Sequence, residues 1–338
     1  MQTNLTKFIL ASPERLAMPV GIYAGLQLTG KSVPKAANDP LIQANASFAL
    51  HQRFPSPFLQ TAMDLSIEAE AFGAQVRFDE GEIPTIIGRL ITGREDVQKL
   101  FAPKVGHKRT MVPLPVVTEL KSRVNDQDHF VLGGMIGPFS LVGRMYGVSE
   151  TLALTQEDPD FTLDLLKLAT GFLLRYAEAF RGMGADGVIM AEPVAGLLSP
   201  KSLAKFSAPF VQQIVSALQT ETFSFIYHNC GAKLGHLEAI LADGAAIHHF
   251  GRPMDLVTAL QRVDSDVILA GNLDPAEVFV GCSPDQVYQS TMNLLDATSG
   301  YRNFLVSSGC DLPPDLPLEN LDAFYRAVAD FNLRRTAS

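Results

Sequence analysis

The feature that most restricts the fold is an alternation. Eight short apolar runs, each closed by Gly, Pro or a polar residue, are separated by longer segments with helical spacing. The runs are Pro19–Gly25, Ala74–Asp79, Phe130–Met135, Gly187–Ala191, Phe223–Tyr227, Ala245–Phe250, Val267–Gly271 and Phe304–Ser307. Runs that are apolar throughout suit strands buried on both faces, as parallel strands are. Between them, an Asp or Ser followed by Pro recurs at Asp39-Pro40, Asp158-Pro159, Ser199-Pro200, Asp274-Pro275 and Ser283-Pro284. Each pair offers an N-cap acceptor and then a proline at the first helical position, where a missing N–H does no harm. Eight strands alternating with helices in 338 residues predict an α/β (β/α)8 TIM barrel, one domain over residues 1–338. An N-terminal extension precedes it, and residues 80–128, with Pro113 and Pro115, are expected to form an insertion between the second and third strands.

Composition narrows the partners. The net charge is −9, from 27 basic and 36 acidic residues, and no basic run stands out, so no nucleic-acid partner is expected. No apolar run approaches the roughly 18 residues of a membrane span, so no membrane partner is expected. Met1–Lys7 carries no apolar h-region with a cleavage site, so no secretory signal is expected. Three cysteines are too few for a disulfide framework, and a reduced, cytoplasmic location fits them.

All three cysteines, Cys230, Cys282 and Cys310, lie in the last third of the chain. In such a barrel the chemistry sits at the C-terminal ends of the strands. There the chain places Glu192-Pro193, His228-Asn229-Cys230, His248-His249, Asn272-Leu273-Asp274 and Ser308-Gly309-Cys310-Asp311. Residues i and i+2 of a strand share a face, so His228 and Cys230 can reach one ion together. Cys310, from the last strand end, would complete a His-Cys-Cys set, which suits Zn²⁺ with an open fourth position. That position would take a substrate thiol as a thiolate. His249 is a candidate fourth ligand or pocket-lining residue. Asp64 and Glu192 are candidate catalytic carboxylates, and Asn272 and Asp274 candidate cofactor-binding residues. Cys282, before the helix-capping Ser283-Pro284, reads as structure.

Four segments carry a resemblance: Asp64–Gly73, Val76–Glu82, Gly137–Leu141, and Gly184–Gly187 continuing through Glu192–Pro200. Over nearly its whole length the chain resembles the uroporphyrinogen decarboxylase superfamily, whose fold is a (β/α)8 barrel. Asp64 matches the essential aspartate of the decarboxylases. Their arginine-rich stretch after the first strand is absent, since Val20–Gly30 contains no arginine. Such guanidinium groups pair a polycarboxylate, so porphyrinogen decarboxylation is disfavoured. His228-x-Cys230 with Cys310, 80 residues beyond Cys230, is similar to the hallmark of the zinc-dependent, corrinoid-linked methyltransferases of the methylcobalamin:coenzyme M type. That resemblance implies Zn²⁺ on these three residues, methylcobalamin as co-substrate on a partner corrinoid protein, and a small-molecule methyl acceptor, a thiol being favoured. The alternatives are a decarboxylase using Asp64, a demethylase passing methyl groups to cob(I)alamin, and a non-catalytic corrinoid-binding partner. The decarboxylase relatives suggest a homodimer.

Overall fold

The computed structural model describes residues 4–336 apart from Pro55, Phe101 and Asp126; Met1–Thr3 of the N-terminal stretch weighed above lie outside the described residues. Nine strands are present among them: β1 Phe58–Gln60, β2 Gln75–Arg77, β3 Thr85–Ile87, β4 Phe130–Ile136, β5 Gly187–Ala191, β6 Ser224–Asn229, β7 Ile247–Phe250, β8 Ile268–Leu273 and β9 Phe304–Ser308. Seven form one curled sheet in the order β1-β4-β5-β6-β7-β8-β9, every neighbouring pair parallel. Ala17 takes the eighth position through a parallel bridge to Val306. Met18 N donates to the Val306 carbonyl at 2.9 Å, and Val306 N to that of Leu16 at 3.2 Å.

The last seam, between residues 17–21 and β1, is made by side chains. Ser56 Oγ donates to the Ala17 carbonyl at 2.9 Å and Gln60 Nε2 to that of Pro19 at 3.0 Å, while Gly21 N donates back to Gln60 Oε1 at 3.3 Å. The sheet therefore closes as the expected α/β barrel, with two strand positions differing from the sequence reading. Pro19–Gly25 is no strand: the chain touches the sheet at Ala17 and then turns into a short helix at Gly25–Thr29, of which Gly25 and Leu26 are buried. Ala74–Asp79 supplies β2, but β2 pairs with β3 in a half-exposed antiparallel hairpin outside the barrel. The barrel's second strand is β1, whose Phe58 pairs with Phe130. Three residues behind Ser56-Pro57 are too short to show a strand's periodicity. The insertion is accordingly longer than 80–128, occupying the whole of 61–129.

All five Asp/Ser-Pro pairs are N-caps. Asp39, Asp158, Ser199, Asp274 and Ser283 each accept a backbone N–H in the first turn of the helix that follows. Alternate strand residues point inward, so Phe130, Leu132, Ile189, Ile226, Ile247, Ile268 and Leu305 fill the barrel. The opposite faces pack against the surrounding helices, the longest being Pro159–Gly182. Among the described residues no helix is long and apolar enough to cross a membrane.

Arg15 fastens the closure. It is 4% exposed, and its guanidinium donates to the carbonyls of Thr298, Tyr301 and Phe304 at 2.9, 2.8 and 2.6 Å. Arg15→Ala leaves three carbonyls without donors, and we expect it to lower the unfolding free energy by about 3 kcal/mol, measured by urea denaturation. A loss below about 1 kcal/mol would show that the seam does not depend on this clamp.

Candidate metal centre

Period-2 alternation carries three polar residues to the top of the barrel interior. His228 follows Ile226 on β6, His249 follows Ile247 on β7, and Ser307 follows Leu305 on β9; all three are buried. His228 and His249 are register partners. Two residues further along the chain from His228, just past β6, stands Cys230, and beyond the end of β9 stands Cys310. One ligand atom each from His228, Cys230 and Cys310 lies within 4.8 Å of the others. Two barrel strands, β7 and β8, stand between the two contributing chain ends, and only the curl of the closed sheet brings them together.

Glycines make the close approach possible. A Cβ on Gly251, just past β7, would stand 2.2 Å from the Cys230 carbonyl oxygen. A Cβ on Gly309, beside Cys310, would lie 3.1 Å from both the Asn272 carbonyl oxygen and Gly251 Cα. Side chains at either position would push the two cysteine-bearing loops apart.

The imidazole of His228 is oriented by a hydrogen-bond chain. Ser307 Oγ donates to the Met18 carbonyl, so it accepts from His249 Nε2–H at 2.7 Å. His249 Nδ1 is then an acceptor, and His228 Nδ1–H donates to it at 2.7 Å. The network assigns both tautomers and leaves His228 Nε2 as the free nitrogen. Burial, with the His228 ring beside it, holds His249 well below the usual imidazole range, so it stays neutral. His249 therefore spends both nitrogens inside this chain and stands outside the cluster as a positioning residue; the reading of it as a fourth ligand is corrected. The thiols share a hydrogen bond that brings Cys230 down to about 7 and, with burial, sends Cys310 up to about 12. One nitrogen and two sulfurs at this spacing suit Zn²⁺ with its fourth position open.

The cluster borders a cavity of about 260 Å³. His228, Cys310, Asp311 and Arg144 line it, within a wall that is otherwise largely apolar and is completed by Ile83–Ile86 of the insertion. Both Asp311 carboxylate oxygens are buried without a hydrogen-bond partner.

The remaining candidates are engaged elsewhere. Asp64, 5% exposed, accepts from Arg109 Nη1 and from Ser66 N and Oγ, and it is not among the cavity-lining residues. Arg109, which the sequence reading did not single out, comes from the insertion and also binds Glu70 and Ser66 at 2.6 and 2.7 Å. Glu192 is fully buried and accepts from Phe139 N, Ser140 N and Ser140 Oγ at 2.7–2.8 Å, anchoring the first turn of helix Pro138–Tyr146. Asn272 donates to the carbonyls of Gly251 and Met254, and Asp274 caps Pro275–Val280. Glu192, Asn272 and Asp274 thus shape the mouth through backbone contacts, which corrects their assignment as catalytic and cofactor-binding groups. Cys282, packed against the core, has the structural role read from its position.

A parallel barrel with a His-Cys-Cys cluster and an apolar cavity at the C-terminal mouth of its strands defines the class of protein. Residues 12–331 match the family described as uroporphyrinogen decarboxylase (URO-D), and the chain belongs to that family. It is similar to the methylcobamide:CoM methyltransferase MtbA of Methanosarcina acetivorans, 25% identical over 309 residues that cover 90% of this chain and 89% of that protein. A uroporphyrinogen decarboxylase of Serratia proteamaculans is 28% identical over 292 residues, covering 82% and 79%. A solved methyltransferase from Methanosarcina mazei shares the fold, with a TM-score of 0.87 and 21% identity over 98% of both chains.

Burial raises Glu192 and Glu68 to about 7 each; Glu68 accepts from Ile136 N at the end of β4. A folded-state value above the unfolded 4.5 means that the folded chain binds more protons between the two values. Stability from these groups is therefore full below about pH 4.5 and is lost as pH rises through 7, by up to about 1.4 kcal/mol per pH unit for each. Urea denaturation from pH 5 to 8 should follow this fall, with a shallower slope in Glu192→Gln. A slope unchanged by that substitution would show that Glu192 is already ionised at pH 5.

Proposed function

We propose that this chain is a zinc-dependent methyltransferase. It would move a methyl group between methylcobalamin on a partner corrinoid protein and a small thiol bound in the barrel mouth. The observation that carries the reading is the His228–Cys230–Cys310 cluster, opening onto an apolar cavity that His228 and Cys310 themselves line. The likeness to MtbA along nine-tenths of the chain supports the same reading.

His228 Nε2 and the thiolates of Cys230 and Cys310 would hold the metal. Bound Zn²⁺ would supply the Lewis acidity that makes a thiol a thiolate nucleophile at neutral pH. The protein's part is orientation and exclusion of water. The His249–Ser307–Met18 chain fixes the tautomer and plane of His228, a relay of the kind that raises ligand basicity. The wall of Val20, Met63, Leu65 and Ile86 keeps the reacting sulfur in a dry environment, where electrostatic attraction is strong. A carboxylate-centred decarboxylase is less well supported, because Asp64 is held by Arg109 and Ser66 and is not among the cavity-lining residues.

Metal analysis of the purified protein should find about one zinc per chain, and Cys310→Ala should lose both the metal and thiol methylation by methylcobalamin. His249→Ala should keep the fold and weaken zinc affinity about 10- to 100-fold, read by competition with a chromophoric chelator. Full activity in metal-free protein or in Cys310→Ala would end this reading. Zinc binding without methylation of any thiol, but with cob(I)alamin methylated by a thioether, would reverse the direction of transfer.

A further inference from the structure

The three residues of the cluster are not held alike. His228 lies within β6, and Glu192 N donates to its carbonyl at 2.8 Å. Cys310 lies between two backbone bonds, from Gly309 N to the Leu273 carbonyl at 2.5 Å and from Leu312 N to that of Val20 at 2.9 Å. Cys230 stands just past the end of β6, where the ladder runs out. The contact there, from Gly251 N to the Asn229 carbonyl, is 3.5 Å long.

A side chain holds the turn that carries Cys230. Asn229 Oδ1 accepts from Gly231 N at 3.2 Å, an Asx-turn that encloses the backbone of Cys230. With Oδ1 so used, Nδ2 points the other way and donates to the Tyr227 hydroxyl at 3.1 Å. Period 2 accounts for the arrangement. His228 and Cys230 face the barrel interior, so Tyr227 and Asn229 face the surrounding helices. Both are buried, at 1% and 0% exposure, so bulk water does not compete for the amide. The half-buried Gly196, in the turn Val194–Leu197 after β5, abuts the same atoms. A Cβ there would stand 2.5 Å from Asn229 Oδ1 and 2.9 Å from Gly231 Cα. The Asn229 amide is thus confined to one place, with Tyr227 on one side and the backbone of Gly196 on the other.

We propose that Asn229 is a positioning residue for the metal centre: its amide, anchored on Tyr227, fixes the turn that aims Cys230 Sγ at the ion that His228 and Cys310 also reach. This rests on the metal reading of the cluster and adds what preorganises it. Groups that orient the ligands of a metal site weaken binding when they are lost, although every ligand is still present. A turn free to swing would leave Cys230 in the sequence with its sulfur away from the tetrahedral direction that a zinc site requires.

The test compares wild type with Asn229→Ala, Asn229→Ser and Gly196→Ala. Serine keeps an oxygen for the Gly231 N–H. The methyl group added at Gly196 displaces the amide with Asn229 still present, so the outcome does not hang on the folding of Asn229→Ala. Each protein is loaded with Co²⁺, whose near-ultraviolet thiolate-to-metal absorption reads how many thiolates are bound, and its metal affinity is measured against a chromophoric chelator. Metal-free protein is titrated with phenylarsine oxide, which condenses with two neighbouring thiols and releases water; Cys310→Ala is the blank. Asn229→Ala and Gly196→Ala should lose about 10- to 100-fold in metal affinity, together with the absorption of one thiolate, and should bind the arsenical more weakly. Asn229→Ser should recover most of each loss. If Asn229→Ala and Gly196→Ala lower only the thermal midpoint and keep wild-type absorption and metal affinity, the role of Asn229 is overturned while the metal centre stands. If wild type binds no metal but takes the arsenical across Cys230 and Cys310 in an Asn229-dependent way, the metal reading fails and the positioning of Cys230 stands. Wild type that binds neither overturns both.

Discussion

A parallel sheet of seven strands becomes a barrel only when its two edges are joined, and here the joining piece is a short extended segment rather than a full strand. Ala17 bridges Val306, and the Met18 carbonyl accepts the Ser307 hydroxyl. That hydroxyl is also the anchor of the His249 and His228 rings. Closure and the candidate metal site therefore share one hydrogen bond. A barrel left open at this seam would free Ser307 and let His249 turn, and His228 would lose the partner that fixes its tautomer. It would also carry Cys310 away from Cys230, since the two sit on chain ends three strands apart. The site is a consequence of closure, which is why its residues are so far apart in sequence and so near in space.

What could be read in the sequence follows from the range of the forces involved. The helix starts are local, set by a capping oxygen and a following proline, and all five Asp/Ser-Pro pairs cap helices. The long buried strands from β4 onward are nearly local, because an apolar run needs burial whatever its partner. β1 was invisible: three residues, one of them Gln60, hold their place by pairing with Phe130–Leu132 and by side-chain bonds to residues 19 and 21. Among site residues, His228 and Cys230 were legible because period 2 puts them on one face. Ser307 was not, since a serine in a strand means nothing until His249 is opposite it. Arg109 was equally silent, since it is defined by its partners Asp64, Glu70 and Ser66.

Glu192 shows how an acidic residue at a strand end can mislead. Its position at the top of β5 suits a catalytic acid, yet its carboxylate is consumed by two backbone N–H groups and a hydroxyl of one helix terminus. The helix N-terminus attracts an anion there, and burial raises the carboxyl to about 7. A raised carboxyl in a barrel is thus compatible with a purely architectural task. The distinction lies in whether its oxygens face the cavity, and those of Glu192 do not.

The same criterion separates the two chemistries that share this fold. A carboxylate-centred mechanism needs Asp64 free to meet a substrate, and a metal-centred mechanism needs a cluster free to meet a thiol. Arg109 and Ser66 donate to Asp64, and Glu70 pairs Arg109 in turn, so the aspartate is engaged by the insertion and is not among the cavity-lining residues. Cys310 and His228 remain on the cavity wall, which Arg144 also lines. The cavity therefore presents the His-Cys-Cys cluster, and not the Asp64 carboxylate, to what enters it.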